Sequence, residues 1–178
     1  MSLNGTTQYL NKTGGFNFNN KNWTVSCWIK KTANGRSDGL FQFGDGTGQG
    51  AYVGIYYKST NAISITFFND DVDSANTYSD AGNWVHILLT YNYLTKIRRL
   101  YRNGIQIINN VSAVIPNTNT NIRIGILGSF YFQGLIDDFR FYDIELNVSQ
   151  ILELYNGRIN ITYPKLNYGS GAGGGGSS

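Results

Sequence analysis

The chain holds one histidine, His86, one cysteine, Cys27, and two glutamates, Glu145 and Glu153. That inventory narrows the chemistry at once. A retaining glycosidase needs two carboxylates about 5–5.5 Å apart on one face. Both glutamates instead fall in or beside a single C-terminal helical stretch, and no strand carries an E-x-D-x-E pattern. Asp137 and Asp138 are adjacent, so on an extended segment they point to opposite faces. A serine nucleophile lacks its G-x-S-x-G elbow, and a zinc centre needs more His and Cys than the chain has. GDGTGQG, residues 44–50, has the glycine of a phosphate loop without its Lys-Ser/Thr ending, and reads as a β-hairpin loop. The expectation is a protein that is not an enzyme.

Binding chemistry remains. Sugars are held by aromatic faces against the ring and by planar polar groups at the hydroxyls. Tyr52 and Tyr56 alternate against Val53, Ile55 and Tyr57, so they share a strand face. Trp28 lies opposite Val25 and Ile29. Arg98 and Arg102 flank Leu100 on one face. His86 shares its face with Trp84, Leu88 and Thr90, as a packed imidazole or as a ligand contact. The candidate ligand-binding set is therefore Tyr52, Tyr56, Trp28, Arg98, Arg102 and His86. The opposing reading has the tyrosines covering a sheet and the arginines paired with acidic neighbours.

The elements that must position these residues are strands. Residues 23–31, WTVSCWIKK, alternate cleanly, with Cys27 on the same side as Trp23, Val25 and Ile29, where it reads as a small core residue. Residues 1–10 read as a first strand entered at Asn4–Gly5. Further strands are expected at 40–43, 52–57, 63–68, 83–91 and 121–127, and a hairpin over 96–107 turning at Asn103–Gly104. The acidic stretch 69–80 reads as a loop. Gly134–Gly157 closes the pattern. Its strand sets Leu135, Asp137, Phe139 and Phe141 on one face, and Ile136, Asp138, Arg140 and Tyr142 on the other, so that Asp138 and Arg140 can pair. Asn147 then caps a short helix three residues before Gln150, and Gly157 stops it. So short a helix is not stable alone and must dock on the β-structure, as a lid over one end. Turn signals about ten residues apart, with strict alternation between them, give an all-β fold: a two-sheet antiparallel β-sandwich with one short C-terminal helix.

These segments, in this order, resemble laminin-G-like, concanavalin A-like jelly rolls. The resemblance rests on LNGTTQYL near the start, WTVSCWIK, NWVHILLTY, the KIRRLYRNGIQI hairpin, and GLIDDFRFY with the helix after it. It covers nearly all of residues 1–157. It implies a non-catalytic recognition or adhesion module with glycans as the ligand class. It also implies rim calcium as a cofactor, for which Asp70, Asp71 and Asp73 are the densest oxygen donors; the opposing reading of that stretch is a solvated acidic loop. Asn4 stands where some relatives have Asp, which weakens a calcium site there.

Length and charge bound the rest. At 178 residues the chain supports one domain, 1–168, followed by a Gly/Ser tether, GSGAGGGGSS, over 169–178. The net charge of +3 is small, and Lys30, Lys31, Arg98, Arg99 and Arg102 read as solvated positions rather than a nucleic-acid surface. No apolar run reaches membrane-spanning length and no signal-peptide pattern opens the chain. A glycan or a protein surface is the expected partner, at an extracellular, cell-surface or virion location. The alternative role is a structural assembly domain of a larger particle, a viral capsid or fibre component.

Overall fold

A computed structural model describes residues 1–14, 17–118 and 121–157. The tether and the stretch before it, 158–178, lie outside the described residues. The chain begins β1 (Ser2–Asn4), β2 (Leu10–Lys12), β3 (Trp23–Lys31), β4 (Asp38–Phe43), β5 (Val53–Tyr57), β6 (Ala62–Phe67) and β7 (Asp71–Thr77). It continues β8 (Trp84–Tyr91), β9 (Ile97–Arg102), β10 (Ile105–Val111), β11 (Ile122–Ile124), β12 (Ile126–Leu127), β13 (Phe130–Tyr131) and β14 (Gln133–Tyr142), and ends in helix α1 (Val148–Tyr155).

Two antiparallel sheets make a sandwich. Sheet A has the order β1-β14-β3-β8-β9-β10 and sheet B the order β2-β11-β4-β5-β6-β7. Alternation decides the faces, because successive side chains in a strand point oppositely. Val25, Cys27, Ile29, Val85, Ile87, Leu89 and Leu100 from sheet A meet Phe41, Phe43, Val53, Ile55, Tyr57, Ile63, Ile65 and Phe67 from sheet B. Each of these fifteen is at most 1 % exposed. Phe18 joins them from the loop after β2, stacked on Phe43 at 4.2 Å.

Three departures from strict patterning matter. The opening segment is two strands in different sheets, parted at Gly5 with φ +75°. The acidic stretch from Asp71 is strand β7, the outer edge of sheet B, rather than a loop. Strand β14 carries a bulge between Asp137 and Arg140, and Asp138 there takes φ +49°. The extra residue switches the inward face: Ile136 is in the core at 2 % exposure and Leu135 is outside at 36 %, while Phe139 and Phe141 pack against the core. Asp138 and Arg140 do pair, Nε to Oδ1 at 2.6 Å.

Helix α1 is capped as its sequence dictates. The Asn147 side chain accepts from the Gln150 N–H, and the Gln150 side chain accepts from the Asn147 N–H. The helix does not lid an end of the sandwich. It lies on the outer face of sheet A, where Ile151 and Leu154 bury Leu88, Tyr101, Tyr142 and Leu146 in a second cluster. On the opposite side of the molecule, β12 and β13 form a separate two-stranded ribbon folded onto the outer face of sheet B. Gly39 and Gly54 make room for it, because a Cβ at either would overlap Leu127.

Candidate functional site

The ribbon covers the β4–β5 part of the outer face of sheet B, and the rest of that face collects the polar and aromatic residues that the core rejects. With Val53, Ile55 and Tyr57 inward, Tyr52, Tyr56 and Lys58 must point out. With Ile63, Ile65 and Phe67 inward, so must Ser64, Thr66 and Phe68. The register lines them up across the strands. Gly54 faces Thr66 and Thr66 faces Asp71; Tyr56 faces Ser64 and Ser64 faces Asp73. Two transverse rows result, each running from the ribbon to a carboxylate at the sheet edge.

Aromatic pairs stand at two points on this face. Tyr56 stacks on Phe130 of the ribbon with centroids 5.5 Å apart and rings only 14° from parallel. Tyr52 leans on Phe68 at 4.6 Å and 41°. Tyr52, just before β5, and Tyr56 within it are four residues apart, a span of about 13 Å in extended chain. Between them the floor is Thr66 and Ser64, both buried, and the rim is Asp71 and Asp73, both exposed. Lys58 donates to Asp73 Oδ2 at 2.7 Å, and this bond, ahead of burial, raises the lysine's affinity for its proton. The Tyr52 hydroxyl is pushed up, first by burial and then by the Asp71 charge.

The other sequence candidates are placed elsewhere. Trp28 and His86 are cross-strand neighbours on the outer face of sheet A. Their rings lie 5.2 Å apart, and Tyr155 at the end of α1 stacks on Trp28 at 5.8 Å. His86 is 2 % exposed; burial pulls its pKa down to about 4 against the attraction of Asp138. It is packed under the helix. Arg98 and Arg102 point between the sheets. Arg98 is 1 % exposed, lies over the Phe67 ring, and donates to Asn110 Oδ1 at 3.0 Å and to Asp70 Oδ1 at 3.0 Å. Arg102 reaches Asp80 through Nε at 3.0 Å, sits over the Tyr78 ring, and shares that carboxylate with the Tyr57 hydroxyl at 2.6 Å. These arginines clamp β9 to sheet B and share no face with the tyrosines.

The calcium candidates do not form a donor set. Asp70 accepts from Arg98, from Ser112 Oγ at 2.6 Å and from the Ala113 N–H at 2.9 Å. Asp73 is taken by Lys58. Among the described residues no three carboxylate, histidine or cysteine groups converge on one point. The two glutamates are also remote from the open face: Glu145 binds Arg99 at 2.5 Å and Asn92 at 2.6 Å on the helix side of sheet A, and Glu153 is exposed on α1. Cys27 is fully buried and its thiol is pushed up to about 12 by burial.

Sequence reasoning missed Ser64, Thr66, Phe68 and Phe130. The first three follow from alternation once Ile63, Ile65 and Phe67 are known to be core. Nothing local marks Phe130, which arrives from a ribbon far along the chain. Asp71 and Asp73 belong to this face because their stretch is a strand.

Comparison with known proteins places the fold. The family described as concanavalin A-like lectin/glucanases superfamily matches residues 4–152. Adhesion G-protein coupled receptor V1 of Danio rerio is 32% identical over 152 residues, covering 76% of this chain; the chain spans about 2% of that protein's length. Among solved structures, the Ruminococcus gnavus IT-sialidase CBM40 bound to alpha2,3 sialyllactose superposes with a TM-score of 0.63 at 15% identity, over 76% of this chain and 82% of that one. Domain 4 of AbnA, an extracellular arabinanase from Geobacillus stearothermophilus in complex with arabinotriose, gives 0.62 at 16% identity over 86% and 87%. A putative carbohydrate binding protein from Bacteroides ovatus gives 0.66 at 13% identity over 86% and 47%. At these identities the structural likeness concerns the fold alone. The comparisons lend no support to a viral source, and no helix among the described residues is long and apolar enough to cross a membrane.

Proposed function

We propose that this chain, which belongs to the concanavalin A-like lectin/glucanases superfamily, is a non-enzymatic recognition module that binds a glycan on the outer face of sheet B. One observation carries the reading: Tyr56 and Phe130 stack on the outer face of sheet B, in register with the exposed carboxylates of Asp71 and Asp73 at its edge, over the buried Ser64 and Thr66. Aromatic surface next to exposed carboxylate groups is what a pyranose or furanose ring needs, apolar C–H face on one side and hydroxyls on the other. Family membership supports the ligand class, as do structural neighbours whose names are those of carbohydrate-binding modules. An extracellular or cell-surface position accords with the adhesion receptor relative.

Catalysis is disfavoured even though Asp71 and Asp73 share a strand face. A general acid needs a carboxyl kept protonated by an apolar setting. Both are exposed, and Asp73 is held in an ion pair with the Lys58 ammonium at 2.7 Å. The test is a glycan array followed by titration calorimetry, with Tyr56→Ala and Phe130→Ala. Removing either ring is expected to weaken binding by roughly tenfold, the worth of one aromatic contact. A folded protein that binds no glycan, or variants that bind as wild type does, would reject the site.

A second reading, assembly through protein contacts, is favoured by the exposed apolar residues on the helix side of sheet A. Ile105 is 70 % exposed, Val148 58 %, Ile144 45 % and Leu152 42 %. Sedimentation velocity tests it: a self-associating protein should become monomeric in Ile105→Lys, and a monomer at all concentrations excludes self-assembly.

A further inference from the structure

The edge of the strip sets the charge of what it accepts. Asp71 and Asp73 alternate on β7 and face the same side as Tyr56, Ser64 and Thr66. Lys58 is the nearest cation on that face, and it is bonded to Asp73. Two carboxylates against one ammonium leave one negative charge, and it falls at Asp71, whose backbone pairs with Thr66 and whose carboxylate makes no hydrogen bond or ion pair among the described residues. The other cations nearby are committed. Arg98 lies behind the strand and holds Asp70. Arg123 shares the row beyond Gln42 but pairs with Asp45 at 3.2 Å, and the ribbon residue Leu127, seated over Gly54, stands between it and the strip. The face is thus locally negative on a chain of net charge +3.

Resting on the glycan reading above, we infer that this site selects neutral glycans and discriminates against anionic ones bearing sialic acid, sulfate or uronic acid. A neutral sugar offers hydroxyl donors, and two ionised carboxylates at a strip edge accept them as charge-assisted bonds, stronger than neutral ones. An anionic substituent brought to the same edge meets Asp71 at a few ångströms in a water-exposed setting. There like charges cost on the order of five- to tenfold in affinity, and salt reduces the cost. The solved neighbour bound to alpha2,3 sialyllactose shares the fold at only 15% identity, so its ligand does not bear on the charge of this face.

The test uses the whole chain on an array of neutral oligosaccharides, lactose and arabinotriose among them, each printed beside a sialylated, sulfated or uronic-acid counterpart, at low and at physiological salt. The expected result is binding to neutral members with acidic counterparts weaker by about fivefold or more, and a smaller gap at higher salt. In Asp71→Asn neutral binding should weaken with the loss of a charge-assisted acceptor, while the gap between neutral and acidic counterparts closes; in Asp71→Lys the preference should reverse. Acidic counterparts that bind as well as or better than neutral ones overturn the inference and leave the glycan reading standing. A gap that persists unchanged in Asp71→Asn also overturns it, since the discrimination then comes from elsewhere. A folded protein that binds no member removes the glycan reading, and this inference with it.

Discussion

Replacing Asp70 with asparagine isolates the joint between the two sheets. Asp70 follows β6 in sheet B, and its carboxylate accepts from Arg98 of β9 at 3.0 Å, from Ser112 at 2.6 Å and from the Ala113 N–H at 2.9 Å. An asparagine keeps the size and loses the charge. Its amide also turns a donor toward one of those donors, so at least one bond is lost. Arg98, 1 % exposed, then carries a buried charge without its counter-ion. Removing one partner of a fully buried pair costs roughly 3–5 kcal/mol. Here the Asp70 side chain is 18% exposed, and Arg98 keeps its bonds to Asn110 and to the Asp70 carbonyl, so about 2 kcal/mol is expected. Urea unfolding at pH 7 reads this as a fall in midpoint of about 1 M with the slope unchanged. Adding Arg98→Met to Asp70→Asn should cost less than the sum of the two single changes, by about 1 kcal/mol. The same carboxylate makes a pH signature. Burial alone would raise its pKa, but the bonds from Ser112, Arg98 and Ala113 outweigh burial and hold it below the ordinary value. Its contribution is therefore fully present above the ordinary carboxylate pKa of about 4 and is lost as pH falls through that value toward the depressed one. Asp70→Asn should flatten that acid limb. Because the carboxylate is committed in this way, melting in calcium chloride and in EDTA should give one midpoint. An Asp70→Asn protein within about 0.5 kcal/mol of wild type, or a midpoint that drops on chelation, would refute the joint as described.

Three further outcomes follow from particular contacts. His86, held neutral by burial with a pKa of about 4, should make the fold lose stability as pH falls below its ordinary 6.5, by up to about 1.4 kcal/mol per pH unit; His86→Gln should remove that slope, and the imidazole shifts in NMR should titrate near 4. Gly54→Ala places a methyl against Leu127 and the Phe41 carbonyl; the ribbon should detach, read as faster hydrogen exchange over 126–131 and a loss of about 2 kcal/mol. The Cys27 thiol, buried and raised to about 12, should not react with a disulfide reagent at pH 8 in the folded protein and should react at once in denaturant.

Much of this architecture was legible in the chain. Alternation in WTVSCWIKK set Trp23, Val25, Cys27 and Ile29 inward, because a residue's face in a strand depends only on its parity. Asn147 and Gln150 specified the cap of α1 through bonds between neighbours in sequence. Asn103–Gly104 specified its turn because both residues must take positive φ, 51° and 76° here. For the same local reasons Tyr52 and Tyr56 could be placed on one face, and paired catalytic glutamates set aside.

What lay beyond the sequence was which faces meet which. Parity says that Arg98 and Arg102 share a side, but only the packing of β9 against the β6–β7 edge turns that side inward and gives its charges to Asp70 and Asp80. Parity likewise separates Trp28 from the core without revealing that α1 would cover His86 beside it, so that two candidates became packing on sheet A. The bulge at Asp138 shifted β14 by one residue, a change of phase that periodicity cannot anticipate because it is fixed by the fit to β3. The candidate site itself depends on three separations in sequence: Tyr56 in β5, Asp71 in β7 and Phe130 in β13. A single chain read in order specifies each residue's side of its own strand. It is the cross-strand register and the ribbon's seat on Gly39 and Gly54 that bring those sides into one surface, and these are set by long-range fit rather than by any local preference.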